Sequence, residues 1–356
     1  MISRELKLKL TFKQETKLDT MLKQCTGLYN LIIRKIKLDA QDKMYHSRDD
    51  LFNLFVGHSL KTDLHSRTIQ GVIERAYNAW DRCFKKTSGE PKLKGIHNKL
   101  RSIPFPDPVE RKKITSKTIQ IPIFGKLRYI KQEVPEGKIK QLKVIKRASG
   151  WYLILVIDTL HKFPIKDTDK KVGIDTGFEH LAVFSDGTKI ENQRNYLRSQ
   201  KRLGQAQRGK NKRLSARIHE RVKNQRKDYN HKVSRKIIEN YKEIYITNDN
   251  LKGQAKKFGK SVSDAGISQL RSFIIYKGVN HGRKVGLVES KFSTLTCNEC
   301  RSLTGPTGLA GLKVRFWKCS VCGTLHDRDI NSGCVTLKVG LGLNLISGKG
   351  VIQCQV

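Results

Sequence analysis

The segment Thr294–Asn331 reads TLTCNECRSLTGPTGLAGLKVRFWKCSVCGTLHDRDIN. Within it, Cys297 and Cys300 form one Cys-x-x-Cys pair, and Cys319 and Cys322 form a second. The linker between the pairs has the length found in zinc ribbons, so the spacing predicts a tetrahedral Zn²⁺ site with four thiolate ligands. Because four thiolates fill the coordination sphere and leave no position for a substrate, we expect this zinc to be structural.

The alternatives to a zinc site are a chance coincidence of two pairs and a set of disulfide bonds. We favour zinc because we expect the chain to be intracellular, where thiols stay reduced and such spacing indicates a metal site. The four remaining cysteines are scattered, and we expect them to be small apolar packing residues. They are Cys25, Cys83, Cys334 and Cys354.

The chain is strongly basic. Its 356 residues include 71 Lys and Arg against 32 Asp and Glu, which gives a formal net charge of +39. Self-repulsion on this scale destabilises a compact fold unless a polyanion neutralises it, so nucleic acid is the expected partner. The alternative is a solvated basic surface without a partner. Charge alone does not distinguish RNA from DNA, or binding from cleavage.

The length and the hydropathy of the chain limit its class further. A chain of this length can hold two or three domains with apolar cores. No run of about 18 apolar residues occurs, so we expect no membrane partner. The first residues, MISRELKLKLTFKQ, alternate charged and apolar side chains and lack the apolar centre of a signal peptide. We therefore expect a cytoplasmic, nucleoid-associated protein.

The first half of the chain combines helices with short strands. Residues 5–12 alternate polar and apolar side chains, which predicts a strand. Apolar residues at helical spacing predict two amphipathic helices, over 18–36 and 66–86, whose apolar stripes should form core. Short β-rich runs within 114–158 predict a small antiparallel sheet or barrel, with 5–12 as its first strand and the helices inserted after it. Residues 92–113 are basic and proline-containing, and we expect them to be irregular.

The second half follows an α/β pattern. Residues 171–187 predict two strands around a tight Asp-Thr-Gly turn, with Asp175 at the end of the first strand. Residues 191–240 contain 16 Lys and Arg and 4 Asp and Glu. They predict two long basic helices, broken near Gly209, with one face on the core and one on a phosphate backbone. The remaining elements are a strand at 243–249, a basic glycine-containing loop at 251–260, a helix around 267–274, a strand at 285–288 and a terminal helix or strand at 334–345.

Three acidic positions lie at the ends of predicted strands or just past them: Asp175, either Asp249 or Glu289, and Asp329. We expect them to converge at one edge of a sheet, where carboxylate oxygens suit Mg²⁺ or Mn²⁺. Two such ions can activate a water and stabilise the leaving oxygen in phosphodiester hydrolysis. The alternative for Asp175 is a turn residue, because Asp before Thr-Gly is common in turns.

Several motifs, taken together and in order, resemble those of the TnpB family, which is related to Fanzor proteins and to compact type V CRISPR effectors. The resemblance covers essentially the whole chain. Its motifs are Ala79–Phe84, Gly89–Lys94, Val172–Gly177, Lys252-Gly253, Ser263–Gly266, the two Cys-x-x-Cys pairs and Asp327–Asn331. It implies an RNA-guided DNA endonuclease with a guide RNA derived from the transposon end and a double-stranded DNA target. We expect a monomer or a dimer on the RNA.

The same resemblance implies an α/β multidomain fold. Its parts are an N-terminal wedge-like β-barrel with an inserted helical recognition lobe, and a C-terminal RuvC-like nuclease domain of ribonuclease-H type with a zinc-ribbon insertion. The N-terminal half would read a short motif beside the target. The implied boundaries are 1–14 plus 95–165 for the barrel, 15–94 for the helical lobe, 171–292 plus 325–345 for the nuclease domain, 293–324 for the zinc ribbon and 346–356 for a tail.

The resemblance also assigns two catalytic acids. Asp175 matches the first acid of the family and Asp329 matches the third, while Asp327 is expected to support them. The usual middle glutamate falls here at Thr247, which cannot bind Mg²⁺ as a carboxylate would. This departure leaves the second acid open.

Two residues compete for the role of the second acid. In a subset of the family, as in Fanzor proteins, a glutamate just before the cysteine segment substitutes, and Glu289 lies close to that place. Asp249 is the competitor, because period-two alternation puts it on the same strand face as Thr247. We expect Asp175, Glu289 and Asp329 to hold Mg²⁺ in an active nuclease. The alternatives are a repressor-like protein that is guided to DNA without cutting it, and a zinc-ribbon transposase without guided cutting.

Overall fold

The computed structural model describes residues 1–57, 62, 64–95, 99–107, 110, 113–121, 124–159, 165–289, 291–311, 313–343 and 352–353. The chain divides into two compact units, Met1–His161 and Lys162–Val356. Most of the predicted tail at 346–356, including Cys354, lies outside the described residues. None of the described helices is both long enough and apolar enough to cross a bilayer.

The first unit is built on a six-stranded antiparallel sheet. Its elements are β1 (Ile2–Lys9), α1 (Phe12–Gln41), α2 (Arg48–Phe55), α3 (Ser66–Phe84), β2 (Ser102–Phe105), β3 (Thr118–Ile121), β4 (Gly125–Tyr129), β5 (Lys138–Arg147) and β6 (Gly150–Asp158). The strand order is β2-β5-β6-β1-β4-β3. β1 therefore lies inside the sheet, and the three helices are inserted between it and β2, as predicted. Among the described residues no pairing closes this sheet into a barrel.

The first strand ends earlier than the alternation predicted. It covers Ile2–Lys9 rather than 5–12, because a helix cap begins at Thr11. The Thr11 hydroxyl accepts a hydrogen bond from the Gln14 amide at 3.3 Å, and the Gln14 side-chain oxygen accepts one from the Thr11 amide at 3.1 Å. This capping box satisfies amides that the first helical turn leaves without partners.

The strand β2 was missed, since its region was predicted to be irregular. Pro104 lies inside it, and proline has no amide hydrogen for a sheet ladder. Pro104 is tolerated because β2 is an edge strand, which among the described strands pairs only with β5; Pro104 lies opposite Lys143. The predicted helical stripes form core along most of their length, and Leu22, Cys25 and Ile69 are among the packed residues of this unit. The exception is Phe84 at the end of α3, which was predicted to be core and is exposed.

The second unit has a mixed six-stranded sheet with helices packed against it, which confirms the predicted α/β class. Its elements are β7 (Lys171–Asp175), β8 (His180–Phe184), β9 (Lys189–Glu191), α4 (Asn195–Arg208), α5 (Lys212–Asn240), β10 (Glu243–Thr247), α6 (Leu251–Ala265), α7 (Ile267–Asn280), β11 (Lys284–Val288), α8 (Gly308–Gly311), β12 (Phe316–Lys318), β13 (Leu325–Asp327), α9 (Arg328–Gly340) and β14 (Ile352–Gln353). The strand order is β14-β11-β10-β7-β8-β9.

Strand direction decides which residues meet in this unit. β7, β10 and β11 run parallel, while β7, β8 and β9 form an antiparallel meander. Because parallel strands end at the same edge, the residues that follow β7 and β10 emerge side by side. The two basic helices α4 and α5 are separated at Gly209–Asn211, which confirms the predicted break near Gly209.

The predicted loop at 251–260 was wrong, since these residues form most of α6. Asn250 caps the helix: its side-chain oxygen accepts a hydrogen bond from the Gly253 amide at 3.0 Å. The glycines that suggested a loop each cost about 1 kcal/mol in a helix interior, which the cap and tertiary packing offset. Next to Gly259, the helix is kinked at Phe258, where the backbone φ angle is −124°.

The helix α9 lies directly on the sheet because glycines form the contact. A Cβ atom on Gly173 of β7 would overlap the carbonyl of Gly333 and the amide of Leu337, and one on Gly340 would overlap the Tyr245 ring. No side chain can therefore be inserted between this helix and the strands. The N-terminal turn of α9 is held at the edge where β7 ends.

We predict that Gly173→Ala destabilises the second unit by roughly 1–3 kcal/mol, because the new methyl group overlaps backbone that cannot retract. Gly259→Ala is the matched control, since a Cβ there meets no atom within 4 Å and α6 is helical at that position. The control should be neutral or more stable by up to about 1 kcal/mol. Thermal unfolding followed by circular dichroism compares the two, and equal midpoints would refute the close packing.

Candidate active site and metal centre

A cleft of about 690 Å³ lies at the edge where β7 and β10 end. Asp175, Asp249 and Asp329 all line it. Asp175 is the last residue of β7, Asp249 follows β10 by two residues, and Asp329 lies in the first turn of α9. Three acids that are remote in sequence are thus gathered into one cleft.

Glu289 is placed elsewhere. It directly follows β11, its side chain is exposed, and it is not among the described residues that line the cleft. The reason is strand order: β10 lies between β7 and β11, so the residues after β10 are nearer to Asp175 than those after β11. Of the two competitors for the second acid, the fold brings Asp249 to Asp175 and Asp329.

Thr247, at the position of the usual glutamate, is fully buried. The parallel pairing of β7 with β10 runs to Ile174 and Ile246, so Thr247 is the neighbour of Asp175 in the ladder. Its hydroxyl accepts a hydrogen bond from the Thr176 amide at 3.2 Å and donates to Asp249 Oδ2 at 3.4 Å. The threonine therefore supports the carboxylate of Asp249 instead of supplying one.

Asp249 is held on one side only. Arg271 Nη2 donates to Asp249 Oδ2 at 2.9 Å, and the Thr176 hydroxyl donates to the same oxygen at 3.2 Å. Within the described part of the chain, Asp249 Oδ1 accepts no hydrogen bond, so it is available to a ligand in the cleft. A carboxylate with one oxygen fixed and one open can bind a cation without losing its orientation.

Arg271 was not predicted. Only 7% of it is exposed, and it lies on α7 beside Leu270, on the face that packs into the core. Burial lowers the pKa of its guanidinium, while Asp249 and Asp175 act in the opposite direction. The sequence does place this arginine on an otherwise apolar helix face. Because a buried cation needs an anionic partner, that position could have indicated a nearby carboxylate.

Asp329 is bound by two arginines. Arg328 donates to Asp329 Oδ1 through Nη2 at 2.9 Å and Nε at 3.0 Å, and Arg315 Nη1 donates to Oδ2 at 3.3 Å. Asp327 has a different role, since it caps α9. Its Oδ1 accepts hydrogen bonds from the Asp329 amide at 3.0 Å and from the Ile330 amide at 3.1 Å. Asp327 therefore fixes the backbone that presents Asp329.

The pKa of Asp175 is raised to about 8. Burial is the main cause, although the side chain keeps some exposure to the cleft, and the charges of Asp249 and Asp329 follow. A hydrogen bond from Ser332 and the charge of Arg328 oppose this shift. A divalent cation is attracted to such a group of carboxylates, because its charge removes the repulsion that acts on Asp175.

The four predicted zinc ligands do converge. The Sγ atoms of Cys297, Cys300, Cys319 and Cys322 all lie within 4.8 Å of one another. Two of the separations are 3.7 Å (Cys297 to Cys322) and 3.5 Å (Cys300 to Cys319). A tetrahedron with Zn–S bonds of about 2.3 Å has edges of about 3.8 Å, so the quartet fits zinc.

The carboxylates are more widely spaced than the thiols. Within the described ranges, the cysteine quartet alone brings three or more His, Cys, Asp or Glu ligand atoms within 4.8 Å of one another. Arg271 pairs with Asp249, while Arg315 and Arg328 pair with Asp329, so these two carboxylates each have cationic partners. Their oxygen donors suit hard cations such as Mg²⁺.

Asn331 connects the metal centre to the acidic cleft. Its Oδ1 accepts a hydrogen bond from the Asn298 amide at 2.9 Å, and its Nδ2 donates to the Thr296 carbonyl at 2.8 Å. Asn331 lies two residues after Asp329 on α9, so the loop that carries Cys297 is attached to the helix that carries the acid. The final asparagine of the Asp327–Asn331 motif therefore has a structural role.

Two protein families and two curated proteins are similar to this chain. Residues 156–257 match a family described as "Probable transposase", and residues 268–335 match a "Cas12f1-like, TNB domain" family. The chain is 28% identical over 312 residues to a protein of Streptomyces pristinaespiralis named "Putative RNA-guided DNA endonuclease", with 82% of this chain and 75% of that protein covered. It is 25% identical over 323 residues to "Putative RNA-guided DNA endonuclease InsQ" of Escherichia coli K12, with 82% and 77% covered.

Among solved structures, the chain aligns with two cryo-EM complexes. One is a Cas12f1–sgRNA–target DNA complex, with a TM-score of 0.39 and 16% identity over 95% of this chain and 99% of that one. The other is a CRISPR–Cas12f ternary complex, with a TM-score of 0.38 and 14% identity over 92% and 85%. These TM-scores are too low to support an argument. The motifs in order, the two matching families and the curated relatives along most of the chain support a TnpB family protein.

Proposed function

We propose that the protein is an RNA-guided DNA endonuclease that uses divalent cations to hydrolyse phosphodiester bonds. The observation that carries this proposal is the gathering of Asp175, Asp249 and Asp329 in one cleft of a chain with a net charge of +39. So strong an excess of positive charge favours a polyanionic substrate, whereas the acids favour metal ions at the point of chemistry. The names of the curated relatives support the same activity.

The guide RNA would come from the transposon end, and double-stranded DNA would be the target. We propose that the second unit is a RuvC-like nuclease domain of ribonuclease-H type with a zinc-ribbon insertion. Its mixed sheet, with an acid at the end of the first strand, supports this assignment. We also propose a wedge-like domain with a helical recognition lobe at the implied boundaries. The insertion of helices after the first strand of the antiparallel sheet supports it, while the described strand pairings leave that sheet open instead of closing it into a barrel.

In this proposal the three acids hold Mg²⁺ or Mn²⁺, which when bound activates water and neutralises charge on the phosphate. Asp175 belongs at the centre, because it interacts electrostatically with both Asp249 and Asp329. Arg271 and Thr247 orient Asp249, and the cap at Asp327 orients Asp329. Asp249 thereby takes the place of the glutamate that the family usually carries at Thr247.

A second candidate function is a guided DNA-binding protein that does not cut. Thr247 favours it, because the usual carboxylate is missing from that position. The retention of Asp175 and Asp329 in one cleft, together with the open Oδ1 of Asp249, argues against it. Sequence-specific binding without any metal-dependent nicking of a guide-matched plasmid would select this second function.

We predict that Asp175→Asn and Asp249→Asn each reduce cleavage of a guide-matched plasmid by about 100-fold or more, as expected when stabilisation of transition-state charge is removed. Glu289→Gln is the matched control, and it should keep cleavage within about threefold because its exposed side chain changes no contact in the cleft. Initial rates at saturating Mg²⁺ measure the difference. The reverse result, with Glu289→Gln inactive and Asp249→Asn active, would assign the role of second catalytic acid to Glu289.

We predict that the affinity for Mn²⁺ rises with pH. The pKa of Asp175 is about 8, so most of the metal-free protein carries a protonated Asp175 at pH 6 to 7, and a cation must displace that proton. Affinity should increase by up to about tenfold per pH unit below 8 and level off above it. Isothermal titration calorimetry measures this, with Asp175→Asn as the control that loses the pH dependence. An affinity for the wild type that does not change between pH 6 and 8 would contradict the assignment.

We predict about one zinc per chain, held by the cysteine quartet. Cys319→Ser should lose the metal and lower the thermal midpoint, since structural zinc contributes directly to folding. Cys83→Ser is the control, because Cys83 is a free, half-buried cysteine outside the quartet. Emission spectrometry on the purified proteins gives the zinc content. A wild-type chain without zinc, or a Cys319→Ser chain that keeps it, would exclude the metal site.

A further inference from the structure

The first unit contains a basic cavity, which is distinct from the acidic cleft of the second unit. Its volume is about 470 Å³, and the described residues that line it include six cations and no Asp or Glu. The six are Arg75, Arg82, Lys92, Lys94, Lys99 and Arg101. Six positive charges around one small cavity repel one another, so the cavity is destabilising in the absence of an anion.

Arg75 makes the strongest case for an anion, because it is half-buried and lacks a carboxylate partner. Its Nη1 donates to the Ser102 carbonyl at 3.2 Å and its Nη2 donates to the Ser102 hydroxyl at 2.9 Å. In the described part of the chain no ion pair reaches it. Burial lowers the pKa of its guanidinium, with only Cys25 and Tyr29 opposing. A guanidinium has five N–H donors, so Arg75 has donors left for a ligand.

One wall of the cavity is built in advance. The Asn30 side chain donates to the Lys94 carbonyl at 2.8 Å and accepts from the Lys94 amide at 2.7 Å, which fixes the segment Gly89–Lys94 against α1. Lys94 Nζ lies 5.6 Å from the centre of the Tyr29 ring, in cation–π contact. Lys94 therefore sits on fixed backbone, which lowers the entropy cost of binding through this residue.

Two sequence motifs that do not line the acidic cleft contribute residues to this cavity. Arg82 belongs to Ala79–Phe84, and Lys92 and Lys94 belong to Gly89–Lys94. Both motifs resemble the TnpB family, yet neither contributes to the acidic cleft of the second unit. In this structure, both motifs place cations in the same cavity.

We propose that this cavity is a phosphate-binding site that holds a backbone phosphodiester of the bound nucleic acid, with Arg75 and Arg101 as its principal donors. Arginine suits this role because its planar fork forms paired hydrogen bonds with phosphate oxygens. Such a contact positions the nucleic acid and carries no sequence information. The site rests on the proposed function for the presence of nucleic acid, but not on cleavage.

The test compares two double variants of the full chain that remove the same charge. The first is Arg82→Gln with Arg101→Gln, which changes two exposed cations of the cavity. The second is Lys13→Gln with Lys23→Gln, which changes two exposed lysines on α1 that do not line it. Labelled single-stranded RNA and a labelled DNA duplex, each of arbitrary sequence, are the probes in fluorescence anisotropy titrations over a range of salt concentrations.

The cavity variant should bind at least one probe about tenfold more weakly than wild type, with a salt slope shallower by about one for the phosphate no longer neutralised. The α1 variant should stay within about twofold. A loss confined to RNA assigns the phosphate to the guide, a loss confined to DNA assigns it to the target, and a loss with both probes assigns a site that accepts either. Equal affinities for the two variants with both probes would overturn the proposal.

Two further measurements separate binding from folding and from cleavage. Without nucleic acid, the cavity variant should melt at or above the wild-type temperature, because it removes repulsion. A second pair, Lys92→Gln with Lys99→Gln, repeats the titration on other exposed cations, so that a folding defect in one pair does not decide the result. All titrations are run in EDTA without divalent cations, so that no cleavage occurs and a failure of the cavity stays distinct from a failure of the nuclease.

Discussion

The packing of α9 on the sheet without intervening side chains is the constraint on which the candidate site depends. Gly173 and Gly333 meet backbone to backbone, and Gly340 lies on the face of the Tyr245 ring. This close approach holds the first turn of α9 beside the end of β7, so that Asp329 faces the same cleft as Asp175. A larger residue at these contacts would move the helix outward and separate the two acids.

The same helix ties the metal centre to the acids. Its cap, Asp327, orients Asp329, and Asn331 one turn further on binds the backbone on both sides of Cys297. The four-cysteine cluster is therefore attached to the helix that carries Asp329, and a zinc ion bound there would have no role in chemistry, because four thiolates leave the metal no open position. Shared attachment to one helix explains why a candidate metal site lies next to the acidic cleft.

Electrostatics separates the chain into regions with different tasks. The chain as a whole is strongly basic, which suits a polyanion, whereas the cleft concentrates carboxylates, and burial together with the charges of Asp249 and Asp329 raises the pKa of Asp175. Arg271, Arg315 and Arg328 balance part of that negative charge. In the first unit the opposite arrangement occurs, since a cavity gathers cations without acids. Repulsion between like charges destabilises each cluster when no ligand is bound. Each cluster therefore indicates a ligand of opposite charge.

The sequence by itself determined the elements whose signals are local. Cysteine spacing identified the four thiols that converge, helical periodicity identified α1, α3 and the two basic helices, and motif context selected Asp175 and Asp329, which line one cleft. Local signals failed where tertiary packing overrode them: Pro104 sits in an edge strand, and the glycines of α6 are tolerated behind a cap at Asn250. Only the tertiary structure shows that Asp249, and not Glu289, lines the cleft with Asp175 and Asp329, because β10 rather than β11 lies beside β7. It also supplied Arg271 and the basic cavity, since both arise from contacts between elements remote in sequence, which no local pattern encodes.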